Sequence, residues 1–357
     1  MEASSNIIIN KILTAAAKQR ASNVHLTVGA YPTLRIDEEL FELKDEQIIT
    51  NDFVIKLADG WLETDQKKIL DEKREVVFVK EIAKQFRVKV AFFFQKNFLS
   101  ASLRLIPAQI PPLINLGLPK SVYSLSDKKA GLIIVTGPYG SGRTTTVASI
   151  VEEINKSRKE NIITIEQPIE YLFTNKESLI EQREVGRDVN SFTDALQSCQ
   201  QADVDVVALA VTAEAGAIPL ALEFANSGRL AIMTMETVSA IQTIEEIFAA
   251  FPKEEQQRAP LLLSEGLLAI IAQRVVPKVG GGLVLAAEVL IATEAVKSLI
   301  REGRIKQINT ILQSSRAEGM LSLDQSLAEL VKSGEVLIDQ AIEYANDPGS
   351  FRAMAKG

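Results

Sequence analysis

Residues 131–146 read GLIIVTGPYGSGRTTT. The run GLIIVT has no charged break, as in a strand buried on both faces. Directly behind it, Gly137, Gly142 and Thr144 fill three required positions of the phosphate-binding pattern G-x-x-x-x-G-K-[ST]. Glycines let the backbone turn its N–H groups inward around phosphate oxygens, and the helix that follows directs its positive end at the anion. Gly137, Gly140, Ser141, Gly142, Arg143, Thr144 and Thr145 are therefore the expected phosphate site, with the Thr144 hydroxyl as ligand if Mg²⁺ is bound. Arg143 stands where the pattern has lysine. Lysine is a compact point charge that reaches the β- and γ-phosphates, whereas arginine is a wider planar fork. Charge survives, so weak binding of ATP or ADP with Mg²⁺ is expected, but not efficient γ-phosphate chemistry. The plainer alternative is a Gly-rich strand–helix turn that binds nothing.

Outward from this loop the chain alternates strand and helix. TTTVASIVEEINKS reads as helix, NIITIE (161–166) as strand, 191–201 as helix, and VDVVALAV (204–211) as strand. A helix follows from about 214, and RLAIMTM (229–235) is a strand. Apolar strands alternating with helices imply a parallel sheet covered on both faces. QRVVPKVGGGLVLAAEVLI reads as a hairpin turning at Gly280 to Gly282, and the rest from Thr293 as a helical tail. Upstream, a helix over 5–20, short strands in NVHLTV and TLRIDEELFEL, one amphipathic helix over 51–71 and three strand-like runs over 75–107 describe a small α+β domain. PAQIPPLINLGLP (107–119) carries four prolines, which serve neither helix interiors nor sheet ladders. The expected organisation is α/β: an N-terminal α+β domain over 1–106, a Pro-rich linker over 107–119, and a phosphate-loop domain with C-terminal helices over 120–357.

Composition narrows the chemistry. The 357 residues are 46 % hydrophobic and 24 % charged, so about two domains with their own cores are expected and extended disorder is not. A net charge of −7 argues against a nucleic-acid partner held by a basic surface. One Cys and one His leave neither a disulfide framework nor a zinc site, which fits a reducing cytoplasm. MEASSNIIIN lacks the basic start of a signal peptide, and no run reaches the roughly 20 apolar residues of a membrane span. Membrane association is expected only through a partner.

Beyond the loop, ASNVHLTVG (21–29), TIEQPIEY (164–171), EQREVGRD (181–188), AEVLIATEAVKSLIREGRI (287–305) and AEGMLSLDQSLAELVKSGEV (317–336) follow in order. Together these segments resemble the PilT-type twitching-motility ATPases, pilus-retraction motors of the type II/IV secretion ATPase superfamily. They look like that family's first strand, aspartate box, the segment after it, retraction-associated box and terminal helices. The longer assembly and secretion motors usually add an N-terminal region and often a zinc-binding cysteine cluster, so the retraction type is favoured. The resemblance implies a PAS-like N-terminal domain, a RecA-like P-loop NTPase domain and a homo-hexameric ring. ATP would bind between domains and subunits. The implied partners are further copies, an active pilus motor and the inner-membrane pilus platform protein, with a cytoplasmic location peripheral to that membrane.

Departures from the family fall on the catalytic positions. Its Walker B strand ends in Gly-Glu, and Ala210 and Val211 stand there, so Val211 marks the lost glutamate. Valine neither orients water nor supports metal. Asp203 and Asp205 lie at the other end of that strand, and Glu214 is three residues downstream. The aspartate box keeps Glu166 and Glu170 but has Gln167 for aspartate, and Arg229 and Glu236 stand at the two positions of the histidine box. Gln85 and Asn97 occupy two inter-subunit arginine positions, while Arg87 and Arg104 remain; Gln197 and Gln201 stand where the family often has arginine. Loss of one electrostatic group commonly costs ~10²–10³ in rate, so the expected function is a pseudo-ATPase acting as a regulatory or structural ring subunit. The alternative is an active hexameric ATPase driving retraction, with Glu166, Glu170 or Glu214 as substitute catalytic acids. A ring component that binds no nucleotide is the third reading.

Other conspicuous residues have ordinary explanations. His25, in an apolar strand, reads as structural, Cys199 as a bystander and Trp61 as packing. The FFF run at 92–94 reads as buried strand and KEEQQR (253–258) as a solvated segment; Lys297 and Arg301 fit a solvated face or a partner contact equally.

Overall fold

The structure is a computed structural model describing residues 2–210 and 214–356. It divides into two compact units, Met1–Gln109 and Ile110–Gly357. The first contains α1 (Glu2–Lys18), β1 (Asn23–Leu26), β2 (Thr33–Ile36), β3 (Glu39–Glu42), α2 (Asn51–Trp61), α3 (Thr64–Lys73), β4 (Glu75–Ile82), β5 (Phe86–Gln95) and β6 (Phe98–Ile106). Its six strands form one antiparallel sheet in the order β3-β2-β1-β6-β5-β4. Alternation sets the inner face: Phe86, Val88, Val90 and Phe92 of β5 are buried, and the residues between them are less so. Helical spacing supplies the cover, with Ile9, Ile12, Leu13 and Ala16 from α1 and Phe53, Val54, Leu57 and Trp61 from α2. The FFF run splits across the pleat: Phe92 is fully buried, whereas Phe93 is 37 % exposed.

The single helix expected over 51–71 is two helices. Leu62 leaves α2 in an extended conformation, and a capping box between Glu63 and Gln66 starts α3. A capping box satisfies amides that a continuous helix would bond internally, so this local exchange outweighs the uninterrupted apolar period.

In the second unit a short turn, α4 (Lys120–Tyr123), precedes β7 (Gly131–Thr136), α5 (Arg143–Ser157), β8 (Asn161–Glu166), β9 (Leu179–Glu184) and α6 (Phe192–Gln201). There follow β10 (Val206–Leu209), α7 (Ala217–Asn226), β11 (Leu230–Met235), α8 (Ala240–Ala250), α9 (Ala259–Gly266), β12 (Leu267–Pro277) and β13 (Leu283–Ile291). The tail is α10 (Glu294–Arg301), α11 (Ile308–Ser314), α12 (Leu323–Lys332), α13 (Ile338–Ala341) and α14 (Pro348–Lys356). The sheet order is β13-β12-β7-β11-β10-β8-β9, parallel throughout except for the antiparallel β12–β13 hairpin. Every residue of β7, β10 and β11 is buried, because helices cover both faces. Leu113, Leu118 and Val122 join the core beside α5, so the proline segment from Ile110 onward belongs to the second unit. Edge strand β9, unmarked in the sequence reading, is only partly buried, which erases the apolar pattern that would announce it. Among the described residues no helix is long and apolar enough to cross a membrane.

Phe92 packs its ring 6.2 Å from Trp61 and 6.1 Å from Phe78. Phe92→Ala is expected to lower the stability of the first unit by about 3–5 kcal/mol, read as an earlier urea transition.

Candidate functional site

The C-terminal ends of parallel strands form the edge where open α/β sheets bind ligands. Here Thr136 of β7 pairs with Met235 of β11, and Ile165 of β8 with Leu209 of β10, so these ends form one rim. The loop 137–142 rises from it. Gly137 has φ +150°, and a Cβ there would lie 2.4 Å from the Gln273 carbonyl oxygen and 2.5 Å from Ser141 Oγ. Only glycine fits this passage. Gly142, at φ +87°, is the N-cap of α5 and offers no capping side chain, which leaves the first-turn amides of that helix to a ligand or water. Ser141 is 2 % exposed and its Oγ lacks a hydrogen-bond partner. These features fit a phosphate group. Thr145 Oγ1 lies 3.1 Å from the Tyr171 hydroxyl, and Thr146 Oγ1 accepts from Gln273 Nε2 at 2.8 Å.

Arg143 is turned to the neighbouring strand end. Its Nη1 donates to the Met235 carbonyl at 2.6 Å and its Nη2 to Glu236 Oε1 at 2.9 Å. The Arg143 side chain is 11 % exposed and that of Glu236 53 %. Two departures from the motor pattern thus bind each other. The segment carrying Glu236 is itself anchored: Thr136 Oγ1 lies 2.7 Å from the Thr237 carbonyl and 2.6 Å from Thr237 Oγ1, and Thr237 Oγ1 lies 2.5 Å from Thr243 Oγ1.

Glu166 ends β8, 7 % exposed, and accepts from Thr164 Oγ1 at 2.8 Å and Gln182 Nε2 at 3.2 Å. Burial pushes its carboxyl above the ordinary glutamate range, the nearby Glu170 adds to this, and the hydrogen bonds oppose it. Glu166 and Thr144 line one cleft with Val147, Tyr171, Ala210 and Thr234. Glu170 is also buried, beside Glu166. Gln182, which orients Glu166 and donates to the Tyr171 carbonyl at 2.8 Å, escaped the sequence reading. The register of β8 on β9 places it beside Thr164, a pairing no local pattern encodes.

The remaining candidates scatter. Glu214 accepts from the amides of Phe192 at 2.9 Å and Thr193 at 3.1 Å and from the Thr193 hydroxyl, so its carboxylate caps α6. Arg229 serves the other end of that helix, donating to the carbonyls of Cys199 at 3.0 Å and Gln200 at 3.4 Å, with its fork over the Phe224 ring. It lies just before β11, at the end of the strand away from the loop. Asp205 accepts from the Asn161 amide at 2.8 Å at that same far end. Val211 lies outside the described residues; Ala210, before it, lines the cleft with a methyl group. Arg87 and Arg104 lie in the first unit on β5 and β6, both half-buried. Cys199 is fully buried, which pushes its thiol up, and His25 is held below its usual range by burial and by Arg35.

A family model described as "Type II/IV secretion system protein" matches residues 2–333. The chain is 35 % identical to the type IV pilus retractation ATPase PilT of Pseudomonas aeruginosa, over 96 % of this chain and 99 % of that protein. It is 33 % identical to a twitching motility protein of Neisseria gonorrhoeae, over 93 % and 90 %. It is 30 % identical to the type IV pilus ATPase PilU of Pseudomonas aeruginosa, over 97 % and 91 %. A crystal structure of the pilus retraction motor PilT with bound ADP matches with a TM-score of 0.83 at 38 % identity, covering 96 % of this chain and 98 % of that one.

Two expectations follow from this geometry. The folded protein holds a proton on Glu166 more tightly than the unfolded chain does, so this group's share of stability falls as pH rises above the ordinary glutamate range. Glu166→Gln is expected to flatten that fall, seen in urea midpoints between about pH 4 and 7. Glu214→Ala uncaps α6 and is expected to lower the stability of the second unit by about 1–2 kcal/mol in the same measurement.

Proposed function

From the type II/IV secretion system protein family, to which this chain belongs, and from its full-length likeness to pilus motor ATPases, we propose a hydrolysis-deficient motor homologue. The observation that carries the proposal is the engagement of Arg143. A P-loop cation acts by reaching the β- and γ-phosphates, and here the guanidinium is held by the Met235 carbonyl and neutralised by Glu236. The cleft lined by Thr144 adds the methyl of Ala210 from the end of β10. Glu214 is engaged at α6.

On this reading the chain acts in the cytoplasm as a regulatory or structural subunit of a hexameric ring, alone or with an active pilus motor, seated on the membrane platform of the pilus machinery. Pseudomonas aeruginosa has two type IV pilus ATPases, PilT and PilU, to both of which this chain is similar, so related ATPases occur together in one organism. The phosphate loop keeps its backbone geometry and binds nucleotide weakly. Thr144 would hold Mg²⁺, which when bound neutralises phosphate charge.

A second reading, an active retraction ATPase, has one observation in its favour. Glu166 lines the same cleft as Thr144 and holds a proton-sensitive carboxyl there.

ATP turnover by the purified chain is expected to lie at least ~10²-fold below that of an active PilT-type motor, and Arg143→Lys alone is expected not to restore it, since the water-orienting carboxylate is still missing. Mixing with an active motor should change the motor's rate, measured as phosphate release. Turnover at motor-like rates that collapses in Glu166→Gln would establish the second reading instead.

A further inference from the structure

The Arg143–Glu236 pair does more than withdraw a cation. Glu236 follows Met235, and Gly137 follows Thr136, which pairs with Met235 across two parallel strands. A carboxylate therefore stands beside the first residue of the phosphate loop. Its backbone is fixed on both sides, because Met235 and Thr237 both lie within hydrogen-bonding distance of Thr136 Oγ1. Its side chain is 53 % exposed, whereas that of its partner Arg143 is 11 % exposed.

The two phosphates of a diphosphate and the third of a triphosphate are served by different groups. Backbone N–H groups of a phosphate loop cradle the α- and β-phosphates, whereas the side-chain cation reaches the β- and γ-phosphates. The backbone part is intact here: positive φ at Gly137, Gly140 and Gly142, an α5 N-terminus without a side-chain cap, and the buried, unpartnered Ser141 Oγ within the loop. The part that serves the γ-phosphate is altered. Arg143 donates to Met235 and Glu236, so the pair offers no net positive charge to a third phosphate, and its more exposed member is the Glu236 carboxylate.

We propose that this site selects a nucleoside diphosphate over the corresponding triphosphate, with Glu236 as the group that rejects the γ-phosphate. This rests on the hydrolysis-deficient reading and adds a ligand to it. The chain is then a subunit that binds the spent nucleotide of an active motor and competes poorly for the fuel. Selectivity arises from repulsion placed against the wrong ligand, with the attractive loop common to both.

Calorimetric titration of the full chain with ADP, and separately with the β,γ-imido analogue of ATP, each with Mg²⁺, tests the proposal. ADP is expected to bind about tenfold more tightly, and Glu236→Gln to raise the affinity for the triphosphate analogue about tenfold while ADP changes less than about twofold. Equal affinities in the unsubstituted chain, a Glu236→Gln effect shared equally by both nucleotides, or binding of neither overturns the proposal. Phosphate release from ATP, measured on the same preparation, separates the two readings. Motor-like turnover alongside a diphosphate preference defeats the hydrolysis-deficient reading, whereas equal affinities without turnover defeat the selectivity alone.

Discussion

Burial of β7 on both faces is the constraint on which the second unit depends. All six of its residues are enclosed, so neighbours on either side must satisfy its amides and carbonyls, and β11 and β12 do so in parallel. That placement brings Met235 level with Thr136 and, on the β12 side, the Gln273 carbonyl against Gly137. The tight passage at Gly137 and the position of Glu236 beside it both follow from strand pairing. The phosphate loop keeps its shape because the strand beneath it has no freedom to move.

Charged side chains that stand at or near the motor pattern's catalytic positions have partners within this chain. Arg143 and Glu236 satisfy each other. Arg229, at one histidine-box position, neutralises the C-terminal carbonyls of α6, and Glu214 receives the amides at its N-terminus. Negative charge at a helix start and positive charge at its end both oppose the helix dipole favourably. A helix with apolar Ala195, Leu196 and Cys199 pressed into the core is thereby held at both tips. Of these contacts, the Arg143–Glu236 pair is the one that lies beside the phosphate loop.

Much of this was legible in the sequence because it rests on local pattern. GLIIVT, NIITIE and LAIMTM are strands because uninterrupted apolar runs need cover on two faces, and GPYGSG is a loop because its glycines sit where φ is positive. The break at Leu62 was not legible, since the apolar period runs through it and only the reciprocal Glu63–Gln66 bonds interrupt the helix. Strand β9 was hidden by its edge position. At the site, the substitutions at Arg143 and Glu236 were visible singly, but their pairing spans 93 residues and needs the β7–β11 register. The engagement of Glu214 was hidden for the same reason: its amide partners 21 and 22 residues upstream are a tertiary fact. Long-range partners decide what a charged side chain does, and no short window of sequence contains them.

One buried contact carries a mechanical consequence. Glu288 of β13, 5 % exposed, accepts the amide of Ala240, the first residue of α8, at 2.8 Å, and that amide lies four positions after Glu236. Both partners are buried, so losing this bond would cost the desolvation of an unsatisfied donor and acceptor. The strand that leads into the C-terminal helices is thus tied to the first residue of α8, four positions beyond Glu236. Separating the strand that enters the tail from the segment beside the loop would leave a buried carboxylate and a buried amide unpaired.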